Sequence, residues 1–353
     1  MARVTIADIA RRAGVSTGAV SYALNGRPGV SEATRERVLE VARELDWHPH
    51  SAARSLSGAR TRTVGLVVTR PAETLGTESF FIQFVSGLES VLGPSGHGLL
   101  LQVVPAAGAE EETLRTWARE RRVDGVVLLD PRVDDPRVPL VRELRLPSVV
   151  VGHPSVAGGL PSVWKDDAAA VATAVEHLVG LGHTRVGRVA GPERLGHTVV
   201  RDAAFRAALA ASGATGVVQH TDFTGARAAG ATLALAGPDA GAGAPTALLY
   251  DNDVMAVAGL SALAGAGRSV PDDVSLVAWD DSPLCHVTHP TLTAVGHDLV
   301  GYGAAVADLL VRQVRDGDTG PVEVPTPTLR VRASTAPPPG ARRRAARAPS
   351  RAG

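Results

Sequence analysis

Polar residues at the ends of apolar runs are the positions in this sequence best suited to bind a small molecule. Asp280, Asn252 and Asp166 each follow a short apolar run, and Arg201 begins a helical pattern. An arginine at a helix start is unfavourable against the helix dipole unless it has an anionic or hydroxyl-bearing partner. Carboxylate, amide and guanidinium groups of this kind favour a small polar ligand over a hydrophobic one.

Some of these residues have a structural alternative that the sequence alone leaves open. Asp166 is equally well placed to cap the helix that follows it, because a carboxylate is a good helix N-cap. In the segment 250–253 we expect Asn252 to face the ligand and Asp253 to cap the next helix. Asp281, next to Asp280, is expected to be a turn or cap residue.

A second kind of chemistry is indicated at the amino terminus, where residues 4–25 read as two short amphipathic helices joined at Gly14. Thr5 and Ser16 are placed to cap the two helices, and Gly14 can adopt the positive φ at which the first one ends. The second helix leaves small polar side chains exposed, a surface suited to a DNA major groove. A third helix from Glu32, capped by Ser31, completes a minimal core.

The charge distribution agrees with this division. Residues 1–62 contain ten Arg against six Asp or Glu, and residues 341–353 contain five Arg and no acid, whereas the chain as a whole has a net charge of zero. Basic ends favour contact with phosphates, and the acidic middle does not. The Pro- and Arg-rich tail lacks an apolar pattern and is expected to be disordered; it could add non-specific DNA affinity or have no required role.

The central part of the chain alternates apolar strand-like runs with helical ones. Examples are the strand-like residues 63–68, 98–104 and 125–129, and the pattern restarts after residue 147. Continuous apolar strands separated by helices predict parallel sheets covered on both faces. An enzyme is a competing class, with Asp166, Asp280, His153 and His286 as candidates, but no nucleophile motif, metal-spaced cluster, Walker loop or dinucleotide fingerprint accompanies them. We expect no cofactor and no metal.

On these motifs the chain resembles the lactose-repressor (LacI-type) family of bacterial transcription regulators, from Val4 to about Pro337. The resemblance implies an all-α helix-turn-helix headpiece followed by an α/β sensor with two periplasmic-binding-protein-like (type I) lobes built on parallel sheets. It also implies that residues 50–57 form a hinge helix on the operator, with Leu56 wedged into the minor groove. A helix this short should be largely unformed without DNA.

The resemblance assigns two sets of residues. The DNA-contacting set is expected to be Thr5, Ser16, Thr17, Gly18, Ser21, Tyr22, Asn25, His50, Ala53 and Leu56. The ligand-binding set is expected to be Phe80, Phe81, Trp164, Asp166, Arg201, Asn252 and Asp280. Phe81 could equally belong to the core, and Trp164 would be hard to explain without a ligand or a subunit contact. Gly18, Ala19 and Tyr22 depart from the larger or more basic residues common in the family, so the operator sequence is left open.

The expected domains follow from this resemblance. The headpiece covers residues 1–48, the hinge and linker 49–62, the sensor 63–336 and the disordered tail 337–353. Within the sensor, lobe 1 is expected at about 63–160 and 292–320, and lobe 2 at about 161–291 and 321–336, with the ligand between them.

The function expected from the sequence is that of a cytoplasmic, homodimeric or tetrameric repressor of a pseudo-palindromic operator. A small polar effector, sugar-like or else nucleoside-like, would control its affinity for DNA. A ligand-independent regulator or an activator of the same fold is the alternative. A secreted binding protein would share the two-lobed fold, but the chain shows no signal peptide and no membrane-length apolar run, and it carries a DNA headpiece.

Overall fold

The computed structural model describes residues 4–47, 60–70, 76, 78–106, 108–317 and 320–339. Contacts divide the chain into two units, Met1–Thr61 and Arg62–Gly353, which we describe separately. The predicted hinge helix, with His50, Ala53 and Leu56, lies outside the described residues, as does the basic tail from residue 341.

Three described helices form the first unit, and their ends follow the capping residues predicted from the sequence. Thr5 and Asp8 form a reciprocal capping box at the first helix, and Ser16 and Ser31 cap the second and third. Gly14 ends the first helix with φ 66°. These caps satisfy backbone N–H groups that a short helix otherwise leaves without partners. The helices are α1 (Ile6–Ala13), α2 (Thr17–Leu24) and α3 (Glu32–Glu44).

The core of the first unit is small and closely follows the predicted apolar faces. Ile9, Val20 and Val38 are fully buried where the three helices meet. In α3, Leu39 is 40% exposed, whereas Val41 is buried. These two exposures differ because residues 38, 41 and 42 lie on the same face of α3 and residue 39 lies outside that face.

Two six-stranded sheets, each flanked by helices, form the second unit. The first sheet has the order β11-β5-β4-β3-β1-β2, and the pairs within it are parallel. Its central strands are buried along their whole length, as expected for strands covered on both faces. The strands are β1 (Thr63–Thr69), β2 (Gly98–Val104), β3 (Gly125–Leu128), β4 (Ser148–Val151), β5 (Ser162–Trp164) and β11 (Val322–Glu323).

The second sheet repeats this arrangement with the order β12-β10-β9-β8-β6-β7. Its pairs are parallel except β10 with β12, which is antiparallel. In each sheet the strand order reverses beside the first strand, and the carboxyl ends at such a switch point form a natural binding crevice. The strands are β6 (Arg185–Ala190), β7 (Thr215–His220), β8 (Ala247–Tyr250), β9 (Ser275–Trp279), β10 (Thr293–Gly296) and β12 (Thr328–Arg330).

The helices of the second unit connect these strands and cover both sheets. Helices α4 and α12 cross very closely, because a Cβ atom on Gly87 would overlap the Val300 carbonyl oxygen and one on Gly303 would overlap the Phe84 carbonyl oxygen. The helices are α4 (Ser79–Leu92), α5 (Gly108–Arg119), α6 (Arg137–Glu143), α7 (Asp167–Gly180), α8 (Gly196–Ala211), α9 (Gly225–Ala236), α10 (Asp253–Gly265), α11 (Pro283–Val287) and α12 (Leu299–Asp316).

The sheets confirm two α/β lobes but correct the boundaries expected between them. β5 belongs to the first sheet although residues from 161 were expected in lobe 2, and β10 belongs to the second although residues from 292 were expected in lobe 1. β11 also pairs in the first sheet, so only β12 joins the second after the last crossing. The physical reason is strand pairing: β5 forms hydrogen bonds with β4, and β10 with β9, before the chain crosses to the other lobe.

The close crossing of α4 and α12 leads to a first expectation about stability. The Gly87→Ala variant should lose about 1–3 kcal/mol of unfolding free energy, because the added methyl group meets backbone that cannot rotate away. Urea denaturation followed by circular dichroism measures this loss.

Gly230→Ala is the matched control for this substitution. No atom lies within 4 Å of the position that its Cβ would take on α9. This variant should be neutral or gain roughly 0.4–1 kcal/mol, since alanine restricts the unfolded chain more than glycine does. Equal unfolding midpoints for the two variants would contradict the close crossing.

Candidate functional site

The exposed face of α2 is the candidate DNA-reading surface of the first unit. Thr17, Gly18 and Tyr22 are exposed, and Ser21 is half-buried beside them. The Asn25 side chain is exposed and donates to the Ser21 carbonyl oxygen at 2.8 Å. This places the side chains predicted to read bases on one surface of one helix.

Two residues of the predicted DNA-contacting set have structural roles at helix ends. The Thr5 hydroxyl donates to Asp8 Oδ2 at 2.7 Å, and Ser16 Oγ accepts from Ala19 N at 3.1 Å. Their side chains therefore cap the amino-terminal ends of α1 and α2. That the nearby backbone N–H groups contact DNA phosphates remains a proposal.

The cleft of the second unit lies at the carboxyl ends of strands from both sheets. Arg70 follows β1 and Asp130 follows β3 in the first sheet, while Asp251 follows β8 and Asp280 follows β9 in the second. The two switch points therefore face each other, as the fold predicts for a ligand site. The lining residues are Arg70, Glu78, Phe80, Leu129, Asp130, Val151, Gly152, His153, Lys165, Asp167, His197, Val200, Arg201, Phe223, Asp251, Asn252, Asp253, Asp280, His297 and Tyr302.

Arg201 lines the cleft, but from the second turn of α8 and not from the helix start expected from the sequence, and buried carboxylates hold it in place. Its Nε donates to Asp167 Oδ2 at 3.0 Å, and its Nη1 lies 3.5 Å from Asp251 Oδ1. The guanidinium carbon lies 3.8 Å from the centre of the Trp279 ring, a close cation–π contact. Burial opposes ionisation of Asp167, but Arg201 and Lys165 outweigh it and lower the pKa of that carboxyl. Arg201 thus serves both as a donor to the cleft and as a buried counter-ion.

Asp280 and Asn252 also line the cleft, but their surroundings differ. Asp280 has φ 64°, a left-handed conformation that Asp and Asn tolerate better than most residues. Burial, followed by the charge of Asp253, raises the pKa of Asp280 to about 7. Asn252 Oδ1 accepts from Met255 N at 2.7 Å and so caps α10. Asp280 is therefore the acceptor whose charge changes near neutral pH.

The roles expected for the neighbours of these residues are corrected. Asn252, and not Asp253, caps α10, while Asp253 is buried as the first residue of the helix and lines the cleft. Burial raises the pKa of Asp253. Asp281 forms an ion pair with Arg332 at 2.7 Å rather than a cap, and its Oδ1 lies 3.1 Å from His286 Nε2.

Of the remaining members of the predicted ligand set, one lines the cleft and three do not. Phe80 lines the cleft, whereas Phe81 is 4% exposed and packs in the core of the first lobe. Asp166 does not line the cleft, because its carboxylate caps α7 by accepting from Ala169 N at 2.9 Å. Trp164 does not line it either, and its ring packs against His153 with centroids 4.8 Å apart. The contact with His153 gives Trp164 a neighbour that the sequence did not indicate.

Several cleft residues were missed although they carried a readable signal. Arg70 and His297 directly follow strands β1 and β10, and Asp130 lies two residues after the end of β3, so the rule that selected Asp280 also applies to them. Lys165, the one lysine of the chain, follows β5 and donates to Asp167 at 2.6 Å. His197 begins the first turn of α8 and carried no such signal.

The charges of the cleft determine which groups it can accept. Arg70 pairs with Asp130 at 2.5 Å, and Lys165 and Arg201 pair with Asp167, so these cations are committed to carboxylates. Burial, followed by Arg201, lowers the pKa of His197 to about 4, which leaves that ring neutral at pH 7. The wall therefore offers excess acceptor oxygen atoms, which suit ligand hydroxyl groups better than phosphate or carboxylate groups.

Within the described residues, no group of three or more His, Cys, Asp or Glu side chains is arranged to hold a metal ion. No helix in the part of the chain that the structure describes is long and apolar enough to cross a membrane.

The helix-turn-helix unit and the two-lobed unit define a DNA-binding transcriptional regulator with a periplasmic-binding-protein-like sensor. The family described as bacterial regulatory proteins, lacI family, matches residues 5–50, and the periplasmic binding protein-like domain matches residues 175–335. The HTH-type transcriptional regulator CelR of Thermobifida fusca is 34% identical over 91% of this chain and 95% of its own length. The chain belongs to the LacI family.

Solved structures agree with this assignment. A complex described as transcriptional regulator CelR with cellobiose is 33% identical, with a TM-score of 0.69 over 94% of this chain and 100% of that one. A LacI family regulator from Bifidobacterium animalis subsp. lactis is 36% identical, with a TM-score of 0.72 over 79% of this chain and 100% of that one.

The raised pKa of Asp280 leads to an expectation about stability and pH. Its pKa is about 7 in the folded protein against an ordinary value of 3.8, so folding favours the protonated carboxyl. The stability contributed by the neutral group is fully present below about pH 4 and is lost as the pH rises through 7. Asp280→Asn removes this charge and keeps a residue that tolerates positive φ.

We therefore expect the unfolding free energy of Asp280→Asn to rise relative to the wild type by roughly 2–3 kcal/mol between pH 5 and pH 8. Urea denaturation at the two pH values measures the change. Asp166→Asn is the matched control, since asparagine also caps helices and Asp166 lies outside the cleft. A pH-independent difference for Asp280→Asn would contradict the buried, titrating carboxyl.

Proposed function

We propose that this protein is a homodimeric repressor whose affinity for a pseudo-palindromic operator is controlled by a sugar-like effector bound in the cleft. The observation that carries the effector class is the excess of acceptor oxygen atoms on the cleft wall, next to the apolar rings of Phe80 and Tyr302. Hydroxyl groups can donate to the carboxylates while a carbon face packs on the rings.

The relatives support a sugar before a nucleoside. The CelR complex contains cellobiose, and CelR is among the relatives more than 30% identical to this chain. Proteins named HTH-type transcriptional repressor PurR are more distant, at 28% identity for the one from Photobacterium profundum. A nucleoside-like effector is therefore the second candidate, and an anionic effector is disfavoured by the acidic wall.

The proposed mechanism couples two sites. An effector that contacts both lobes changes their relative positions, and this changes how readily two hinge segments fold together on the operator. Each headpiece reads one half-site, so a two-fold dimer matches a palindrome. A ligand-independent regulator or an activator would differ in the response to effector, which a binding assay distinguishes.

The test begins with DNA that the protein itself selects from its own genome. Fluorescence anisotropy then measures operator affinity with and without a panel of monosaccharides, disaccharides and nucleosides. A sugar that changes operator affinity at least tenfold supports the proposal. A nucleoside response in its place, or no response to any compound, overturns the sugar-like effector.

Arg201 is expected to be required for the response to the effector. Alanine at this position would remove one of the cations that pair with Asp167 and one of those that pair with Asp251, and breaking a buried ion pair in this way costs several kcal/mol. Arg201→Lys retains the charge but loses the planar fork and its stacking on Trp279.

We expect Arg201→Lys to bind the active sugar at least tenfold more weakly, while its operator affinity without sugar stays within about threefold of the wild type. Calorimetry and anisotropy measure the two quantities. Asp166→Asn serves again as the control and should bind the sugar normally. Unchanged sugar affinity in Arg201→Lys would show that the effector binds elsewhere.

Leu56 is expected to act as the minor-groove wedge, on the strength of the family resemblance and the sequence alone. Leu56→Ala should weaken binding to the selected operator severalfold or more, because the unstacked base step loses its apolar partner. Binding to random DNA should change little, since phosphate contacts dominate there. Equal operator affinity for the wild type and Leu56→Ala would refute the wedge.

A further inference from the structure

His297 is a buried polar side chain of the cleft whose ring has no hydrogen-bonding partner in the described part of the chain. It directly follows β10, and its side chain is 4% exposed. Neither Nδ1 nor Nε2 forms a hydrogen bond with any described residue. Buried polar groups are nearly always hydrogen-bonded, and one left without a partner destabilises the fold. Because His297 lines the cleft, a bound molecule can supply that partner.

Asp280 stands opposite this ring at a distance that is too long for a direct hydrogen bond. His297 Nδ1 and Asp280 Oδ1 are 3.8 Å apart. A single oxygen atom placed about 2.8 Å from each can bridge them. A hydroxyl group is the group that accepts a hydrogen bond from the imidazole N–H and donates one to the carboxylate through the same oxygen.

The cations facing this pair are occupied elsewhere. Lys165 and Arg201 face His297 and Asp280, but both donate to Asp167. Asp253 faces Asp280 from α10, and the Tyr302 ring lies edge-on to His297 with centroids 6.4 Å apart. None of these described neighbours is within ion-pair distance of the Asp280 carboxylate.

The protonation states at neutral pH suit such a bridge. Burial, followed by the charge of Lys165, lowers the pKa of His297 well below its usual value. The ring is therefore neutral and has one N–H donor. Burial and Asp253 raise the pKa of Asp280 to about 7, so its carboxylate form becomes dominant above neutrality.

We propose that His297 and Asp280 form a subsite for one hydroxyl group of the effector, and that His297 is a specificity-determining residue of the cleft. The proposal rests on the sugar-like effector proposed above. It adds that one hydroxyl of that sugar bridges the two side chains, so that removing either this hydroxyl or the ring weakens binding. It also requires an ionised Asp280, so binding should strengthen as the pH rises through neutrality.

The experiment uses the full-length protein and the sugar that binds the wild type most tightly in the panel, measured by isothermal titration calorimetry. His297→Leu should bind this sugar at least tenfold more weakly. His297→Gln, whose amide can both donate and accept, should stay within about threefold of the wild type. His177→Leu is the matched control and should bind normally, because His177 does not line the cleft.

Monodeoxy analogues of the same sugar identify the bridging hydroxyl. One analogue should bind the wild type about tenfold more weakly than the parent sugar, and this loss should be smaller in His297→Leu, where the hydroxyl keeps only Asp280 as a partner. The wild-type affinity should rise roughly tenfold between pH 6 and pH 8, as the ionised fraction of a group of pKa about 7 does. In Asp280→Asn this pH dependence should disappear.

The outcomes separate the two proposals. If the wild type binds no sugar, the proposed effector class is overturned and the subsite with it. If the wild type binds a sugar but His297→Leu binds it equally well, or no deoxy analogue distinguishes the two proteins, the subsite alone is overturned. If His297→Leu fails to fold, His297→Gln and the binding of the deoxy analogues to the wild type still test the subsite. If the wild type binds every analogue as tightly as the parent sugar, the bridge is excluded.

Discussion

The buried ion pairs around Arg201 are the interaction on which the cleft depends. Arg201 lies between Asp167 and Asp251, and Asp251 also pairs with Arg188 on the central strand β6 at 2.6 Å. Taking one such charge out of water costs several kcal/mol, and the partners and their hydrogen bonds offset that cost only while all are present. The network therefore fixes the cleft wall before any ligand arrives, and it couples α7, α8 and the end of β8 to one side chain.

The same network explains why the cleft is selective about charge. Its cations are neutralised within the protein, so they attract anionic ligands weakly, while Asp280 and Asp253 stay close together at the inner wall. A preorganised wall of this type is suited to neutral ligands rich in hydroxyl groups, because desolvated acceptors need donors rather than counter-ions.

The sequence was most informative where position along a strand determines exposure. Asn252 and Asp280 could be predicted because the ends of buried parallel strands meet at one edge, whereas Arg201 was expected from a helix start and from the family resemblance and lies in the second turn of α8. Asp166 and Asp167 could not be distinguished in this way, since the first turn of a helix directs adjacent side chains apart and either can be the cap. Phe81 depends on helical phase in the same manner, because one step along α4 separates the cleft from the core.

The lobe boundaries were missed for a different reason. A strand is recognised by its composition, but membership of one sheet or the other is decided by pairing partners far away in the sequence, such as β5 with β11. Local patterns contain no information about those partners. The two-lobed fold could thus be predicted from alternation, whereas the three points of crossing could not.

A small feature at the rim, a single antiparallel bridge between Arg132 and Leu195, connects a loop after β3 to the start of α8. Val133 N donates to Arg194 O at 3.0 Å, and Gly196 N donates to Pro131 O at 2.7 Å. Separation of the two lobes at this rim must break both backbone hydrogen bonds together, each with a net value of about 0.5–1.5 kcal/mol. These paired hydrogen bonds therefore add a free-energy cost to any separation of the two lobes at this rim.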